Sequence, residues 1–489
     1  MPETSYPLRE AAADLRARGQ LAGVLVATAG HWRSRPADDE TPLRGGFHGA
    51  ALDSRRLRAG ELFVAVPGER TDGRRFAADA LAAGAAAVLA ASGGQAAADQ
   101  CWSGLATPRE GAVVLLTGDA TAALLTLAEK WRARLSLRLV GVTGTNGKTT
   151  TKDLLAAILN GKAPTQATAG NLNNALGLPL TLLSLAPEHR FAVIEMGASA
   201  VGEIARLARL ARPEIGLITN ASPAHLQHFG SLAAIVQGKG ELLDALPAEG
   251  TAVLNAESPG CDAWVSRARC HVLTHGETAG DVRWRWRPAP DPNQGVLELA
   301  GRTWAVPLPG RHNGANLAAA LLAAGALGVD HAAAAAGLGA FVASPHRSRV
   351  ETIGGVLVLD DCYNANPSSV VSAASALVGL AGRRAVAVLG AMAELGTGSA
   401  ELHFETGRRV AQAGVHVLVA VGPEAAPLAA GFRDAGGRAH ALATREEAAA
   451  WLVRHAAAGD KVLIKGSRSS GMEAVLDEFR RSATGTGGL

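Results

Sequence analysis

Short β-branched runs alternate with long Ala- and Leu-rich segments along most of this chain. The runs Leu137–Val140, Phe191–Met196, Gly216–Asn220, Ala252–Asn255, Val356–Asp360, Ala385–Leu389, Val415–Val421 and Lys461–Lys465 predict strands. The segments between them have the length and composition of helices, as in Ala122–Arg134, Lys152–Leu159 and His331–Phe341. Strand and helix in alternation predict βαβ units around mainly parallel sheets, an α/β fold. No short repeat of solenoid type interrupts the pattern. It weakens in two places: His31–Gly49, rich in charge, Pro and Gly, is predicted as a surface loop, and residues 279–295, which carry Pro288, Pro290 and Pro292, as a loop beside a small β region. Thr484–Leu489 reads as a frayed end.

Length divides this pattern. With 489 residues and roughly 150 residues per domain, about three domains are expected. A helix gives way to a strand near Leu135, and an Ala-rich helix ends near Ala343. The expected domains are therefore 1–135, 136–343 and 344–489. Composition is that of an ordinary globular protein, 48% hydrophobic and 19% charged. A net charge of +3 without blocks of like charge argues against nucleic-acid binding. Cys101, Cys261, Cys270 and Cys362 form no CxxC pair, which fits a reducing compartment. No apolar run reaches the ~18 residues of a membrane helix, and the N-terminus lacks a basic region followed by an apolar stretch. A cytoplasmic protein without membrane insertion is the expectation.

One segment carries chemistry on its face: Gly141-Val-Thr-Gly-Thr-Asn-Gly-Lys-Thr-Thr150, between a predicted strand and a predicted helix. A Gly-rich turn there points several backbone N–H groups, and the positive end of the helix dipole, at one place, which suits a polyphosphate. Lys148 would reach the β- and γ-phosphates, and the Thr149 hydroxyl would sit on Mg²⁺. The spacing departs from the common phosphate loop, with Val142 where its first Gly stands. A tight turn alone would explain the glycines, but not Gly-Lys-Thr at the helix start.

The run Gly144-Thr-Asn-Gly-Lys-Thr-Thr150 resembles the nucleotide loop of the Mur ligase superfamily, which also includes folylpolyglutamate and cyanophycin synthetases. The loop alone does not choose among them. Asp53-Ser-Arg-Arg56, Gly60–Gly68 and Asp72–Phe76 look like the uridine-binding domain of the murein-peptide ligases. Gly170–Asn174, Gly177–Thr181, Arg212–Asn220, Ala224-His-Leu226 and Lys239-Gly-Glu241 look like the branch that adds D-alanyl-D-alanine. So do Leu308–Asn313, Asp360–Pro367, Ala393–Gly396 and Lys465–Arg468. Ala391 and Arg74 depart from this pattern, where relatives commonly carry Asp and His.

The resemblance implies a UDP-substrate-binding N-terminal domain, a central ATP-binding domain and a C-terminal Rossmann-like ligase domain without a G-x-G-x-x-G loop. It implies an ATP-dependent, ADP-forming amide ligase that joins D-alanyl-D-alanine to UDP-N-acetylmuramoyl-tripeptide through an acyl phosphate. A monomer is expected. Another amide ligase of the superfamily, or a phosphate-loop NTPase serving as a binding module, is the alternative. By the same resemblance, Gly144, Thr145, Asn146, Gly147, Lys148, Thr149, Thr150, Asn313, Asn316, Arg347 and Asp361 bind ATP. Tyr363 and Asn364 lie near the nucleotide, and Ser54 and Arg55 bind the UDP substrate. Lys148, Glu195, His225 and Lys239 are the catalytic set. Two Mg²⁺ ions would be held by Thr149, Glu195, His225 and Lys239, the lysine as a carbamate. Lys465, Ser467 and Arg468 are candidates on the acceptor side, and residues 1–48 carry no assignment.

Each role competes with a plainer one. Glu195 ends a strand, where a carboxylate either faces solvent or enters a crevice. A lone His is commonly structural, and a lysine is commonly solvated. Asn313 and Asn316 open a helix and could cap it, and Asp360–Pro367 is rich in turn formers.

Overall fold

The protein is described by a computed structural model covering residues 5–485, apart from 30, 42, 69–70 and 93–109. Cys101 lies outside the described residues. The fold is α/β, and the chain divides into two compact units. The first is Met1–Leu139, Ala163–Met196 and Arg206–Pro213; the second is Val140–Lys162, Gly197–Ala205 and Glu214–Leu489.

In the first unit a six-stranded sheet runs in the order His31–Arg35, Leu21–Thr28, Val113–Thr117, Ala87–Ala91, Leu62–Ala65, Ala50–Ala51. The last four strands are mutually parallel, and the first two join antiparallel. Phe63, Val88, Val114 and Leu25 face one core with Ala77 and Ala80 of the helix Ala77–Ala82. The helix Ala120–Arg134 is capped by Asp119, which accepts from Thr121 N (2.8 Å). Near its end Trp131 Nε1 donates to Leu185 O (2.8 Å), so a buried indole keeps its polar atom satisfied. Thr165–Ala167 and Phe191–Glu195 pair in parallel in the same unit.

The second unit carries two sheets. In one, Arg138–Thr143, Ile215–Ile218, Thr251–Asn255 and His271–Gly276 are neighbours and parallel. Val282–Pro288 continues it in parallel, and Gly295–Leu299 and Arg302–Val306 extend it antiparallel. The other has the order Arg349–Ile353, Val356–Asp361, Lys461–Lys465, Ala385–Gly390, Val417–Val421, Arg438–Leu442, parallel after the first pair. Its inner strands Lys461–Lys465, Ala385–Gly390 and Val417–Val421 are buried throughout, because both faces of the sheet are covered. The helices Pro367–Gly379, Ser399–Gln412 and Ala426–Asp434 bury one face. Arg445–His455 and Glu473–Gly485 bury the other.

The predicted strands are all present, several shifted by one to three residues. Two predicted loops are corrected. His31–Arg35 is an edge strand, pairing Trp32 with Ala27 and Arg35 with Val24. Its side chains are mostly exposed, and an edge needs no apolar face. Val282–Pro288 is a strand in which Trp284 is buried while Arg283 and Arg285 are exposed. The strand before the Gly-rich turn also runs to Thr143 rather than stopping at Val140. At the chain end, the helix Glu473–Gly485 takes in Thr484, so the frayed segment does not begin there; 486–489 lie outside the described residues.

Candidate nucleotide and ligation site

The strand Arg138–Thr143 delivers the chain to Gly144, and the helix Lys148–Asn160 starts four residues later. Two glycines shape the turn between them. Gly144 (φ 141°) and Gly147 (φ 80°) adopt conformations that side chains rarely tolerate. A Cβ would also collide with Thr219 Oγ1 at the first and with Asn316 Oδ1 at the second. The loop is thus pressed between two neighbours and ends at a helix N-terminus, the place where backbone N–H groups suit an anion. Lys148 Nζ donates to Gly144 O and Thr145 O (both 2.9 Å). Thr149 is buried on the first turn.

Neighbouring residues fix the loop in place. Thr145 N donates to Asn220 O (2.8 Å), and Asn146 N to Asn220 Oδ1 (3.0 Å). Thr219 Oγ1 and Asn220 Nδ2 both donate to Asn146 O (2.6 and 3.1 Å). Thr219 and Asn220 follow the adjacent parallel strand Ile215–Ile218, at the carboxyl ends where open α/β sheets gather ligands. Sequence reasoning gave them no role, although Asn220 closes one of the family-like segments. Asn316, against Gly147, donates to Asn313 Oδ1 (3.1 Å), and Asn313 donates to Pro309 O (2.7 Å). The two asparagines are thus gathered with the loop and do not cap their helix, which has Gly310 at its N-cap and no side-chain cap bond.

Lys239, in the helix Leu232–Gly240, is 3% exposed. Burial, with help from the Lys148 ammonium, pushes its pKa down from 10.5 to about 7. Its Nζ reaches Ala198 O (3.4 Å) and lies 5.4 Å from the centre of the Phe229 ring. Glu241, two residues on, accepts from Gly202 N and Ala205 N (2.5 and 3.0 Å) at the start of the helix Glu203–Ala211. That task turns Glu241 to the helix terminus, a favourable place for a carboxylate.

His225 has a left-handed backbone (φ 50°), as does Glu394 (φ 62°). His225 Nδ1 meets Glu394 Oε2, and Gln227 N donates to Glu394 O (3.2 Å). In the first unit Glu195 is 2% exposed and accepts from Asn173 Nδ2 (2.7 Å). Ser54 and Arg55 form a short 3-10 turn capped by Asp53, with Arg55 Nε and Nη2 on the same carboxylate (2.9 and 2.8 Å).

Two strand ends of the C-terminal sheet meet at Asp361 and Lys465, which pair in register. Their side chains form an ion pair, and Lys465 Nζ also donates to Asn364 O (2.8 Å). Burial raises the Asp361 carboxyl, but Lys465 outweighs it and holds the group below the usual range. Lys465 is 3% exposed and engaged by Asp361. Ser467 Oγ bonds the hydroxyls of Ser469 and Ser470 (3.1 and 2.9 Å), and Arg468 reaches Glu473 (2.9 Å). The Arg347 guanidinium stacks on Tyr363, 3.9 Å from the ring centre.

Among the described residues no group of three or more His, Cys, Asp and Glu side chains is placed to hold a metal ion. Mg²⁺ takes hard oxygens, which the Thr149 hydroxyl and the buried Glu195 carboxylate each offer, and Lys239, with its pKa lowered, gives up its proton readily. No described helix is long and apolar enough to cross a membrane.

Three family models match the chain: the Mur ligase family catalytic domain at 46–121, the Mur ligase middle domain at 142–324, and the Mur ligase glutamate ligase domain at 347–468. The UDP-N-acetylmuramoyl-tripeptide–D-alanyl-D-alanine ligase of a Synechocystis strain is 36% identical over 430 residues, 87% of this chain and 90% of the relative. A crystal structure of MurF from Acinetobacter baumannii superposes with a TM-score of 0.76 at 31% identity, covering 88% of this chain and 93% of that one. MurF from Thermotoga maritima in complex with ADP gives 0.74 at 29%, covering 90% and 98%. The chain belongs to the Mur ligase family.

Proposed function

We infer that the protein is the ATP-dependent, ADP-forming ligase that joins D-alanyl-D-alanine to UDP-N-acetylmuramoyl-tripeptide in peptidoglycan precursor synthesis. The observation that carries this reading is agreement over 87% of the chain with a ligase of that name, joined to a phosphate loop with two obligatory glycines.

The reaction has two steps. A terminal carboxylate oxygen of the tripeptide attacks the γ-phosphorus of ATP, ADP leaves, and an acyl phosphate forms. The amine of D-alanyl-D-alanine then attacks the carbonyl carbon and loses a proton, and phosphate departs with the former carboxylate oxygen. With Thr145 N and Asn146 N donated to Asn220, the remaining loop amides between 144 and 150 hold the phosphates, with Thr150 on the helix they open. Lys148 swings from its loop carbonyls to the β- and γ-phosphates and neutralises charge on the transferring group. Asn313 and Asn316 support the loop, Asp361 takes the ribose, and Arg347 moves from Tyr363 to the phosphates. Ser54 and Arg55 contact the UDP moiety, and Ser467 and Arg468 face the acceptor. Two Mg²⁺ ions, held by Thr149, Glu195, His225 and carbamylated Lys239, would supply further positive charge to the phosphates.

The division into 1–135, 136–343 and 344–489 follows the three substrates, UDP-tripeptide, ATP and acceptor. We place the enzyme in the cytoplasm as a monomer. Incubation with ATP, Mg²⁺, UDP-tripeptide and D-alanyl-D-alanine should give ADP, phosphate and a UDP-pentapeptide in equal amounts. Equal turnover with folate and glutamate would overturn the assignment. Supplying tripeptides ending in meso-diaminopimelate and in lysine identifies the third residue.

A further inference from the structure

Asn146, inside the phosphate loop, has a side-chain amide engaged by residues far along the sequence. Its Nδ2 donates to Ser368 Oγ (2.8 Å), Ser222 Oγ (3.2 Å) and Asn366 Oδ1 (3.3 Å). Its Oδ1 accepts from Asn366 Nδ2 (2.7 Å). Ser368 Oγ donates in turn to Ser222 Oγ (2.8 Å). All four side chains are half-buried.

Asn366 has a local task that accounts for only half of its side chain. It caps the helix Pro367–Gly379, with Oδ1 accepting from Ser369 N (3.0 Å), while its own N–H donates to Ser369 Oγ (3.0 Å). Capping needs only a side-chain oxygen, and Ser or Asp would serve equally well. The amide nitrogen is superfluous for the cap, and it points at Asn146 Oδ1. Ser368 lies on the first turn and takes no part in the cap; its hydroxyl is engaged with Asn146, Ser222 and Asn366.

The main chain of Asn146 is held from the other side by Thr219 and Asn220. Its peptide groups are thus clamped by one element and its side chain by another. The direction of loop N–H groups decides how well they meet a phosphate, and a loop already ordered loses less entropy on binding.

We propose that Asn366 and Ser368 are positioning residues for nucleotide binding, holding the phosphate loop in its binding shape through Asn146. Nucleotide affinity then depends on the placement of the segment 360–370, and by reciprocity bound nucleotide steadies that segment. The proposal rests on the reading of 144–150 as the ATP loop.

The test is calorimetric binding of ADP and of a non-hydrolysable ATP analogue to the full chain, without UDP-tripeptide. Asn366→Ser keeps the cap and removes the donor; Ser368→Ala removes the hydroxyl. Each should weaken nucleotide binding about tenfold, the scale of one lost hydrogen bond. The KM for ATP should rise while kcat at saturating ATP stays near wild type, and Ser368→Thr should restore affinity. In an Asn146→Ala background neither substitution should weaken binding further. Wild-type affinity in both single variants would overturn the proposal. So would equal losses with and without Asn146, which would mark general destabilisation. Wild-type protein that binds neither nucleotide would instead refute the ATP-loop reading itself.

Discussion

A lysine kept out of water gives up its proton readily, and Lys239 is the residue at which that fact bears on chemistry. Its pKa falls to about 7 through burial first and the Lys148 charge second. The amine is therefore neutral above about 7 and charged below. The penalty of a buried ammonium weighs on the folded state below about 7 and fades as pH rises toward 10.5. Only the neutral amine adds CO₂, so carbamate should form as pH rises through about 7 and revert on acidification. A ¹³C carbamate resonance from labelled bicarbonate should follow that profile and vanish in Lys239→Ala; a resonance flat across pH 6–8 would count against it. Lys239→Ala should also lose ligation and regain part of it with added acetate, while Arg, unable to form the carbamate, should not substitute. Rescue by small amines alone would point to an ordinary cation at this position. Lys148→Ala is a separate case. It removes a charge that meets the transferring phosphoryl group, so turnover should drop about 10²-fold or more. Near wild-type turnover would remove Lys148 from the mechanism.

At the scale of elements, the helix that opens on the phosphate loop depends on close packing at its far end. Gly161 sits against Ala333 and Gly337, and Gly337 against Ala157 and Ile158, between the helices Lys148–Asn160 and His331–Gly339. A Cβ on Gly337 would run into the Ala157 carbonyl, backbone that cannot step aside. Gly337→Ala should cost roughly 1–3 kcal/mol as overpacking, despite the better helix propensity of Ala. Chemical denaturation checks this, and unchanged stability would mean the helices can part freely. The parallel strands were legible because buried strands read as apolar runs. The two missed strands each hid their signal. Val282–Pro288 alternates Arg with Trp in a period of two, but the prolines beyond it suggested a loop. His31–Arg35 has no apolar face to read, being exposed at an edge. The loop residues were legible because phosphate binding constrains residue type and spacing together. Thr219, Asn220, Asn366 and Ser368 were not, because their partners lie 73 to 222 positions away in the chain. The pairing of Lys465 with Asp361 was hidden for a related reason: it depends on which strands are neighbours, and these two are separated by 104 residues.

On the scale of the whole molecule, ligation and simple ATP hydrolysis differ in where one oxygen atom goes. If the tripeptide carboxylate attacks ATP, one of its oxygens becomes bridging in the acyl phosphate and leaves in the phosphate released. If water attacks instead, the carboxylate keeps both oxygens. UDP-tripeptide labelled with ¹⁸O in its terminal carboxylate should therefore transfer one labelled atom into each phosphate formed, with D-alanyl-D-alanine present. The substrate requirement follows from the same route. A ligase of this kind gains rate by holding reactants in attack geometry, and ATP without tripeptide offers only water as a nucleophile. ATP alone should be consumed slowly, and adding D-alanyl-D-alanine without tripeptide should change little. Tripeptide without acceptor should allow the first step, seen as exchange of the β,γ-bridging oxygen of ATP with the non-bridging β-positions as ADP rotates and re-forms ATP. An NTPase binding module would behave differently, hydrolysing ATP at full rate by itself and leaving the released phosphate free of label from the carboxylate. Unlabelled phosphate formed in step with UDP-pentapeptide would exclude the acyl phosphate, whatever the product.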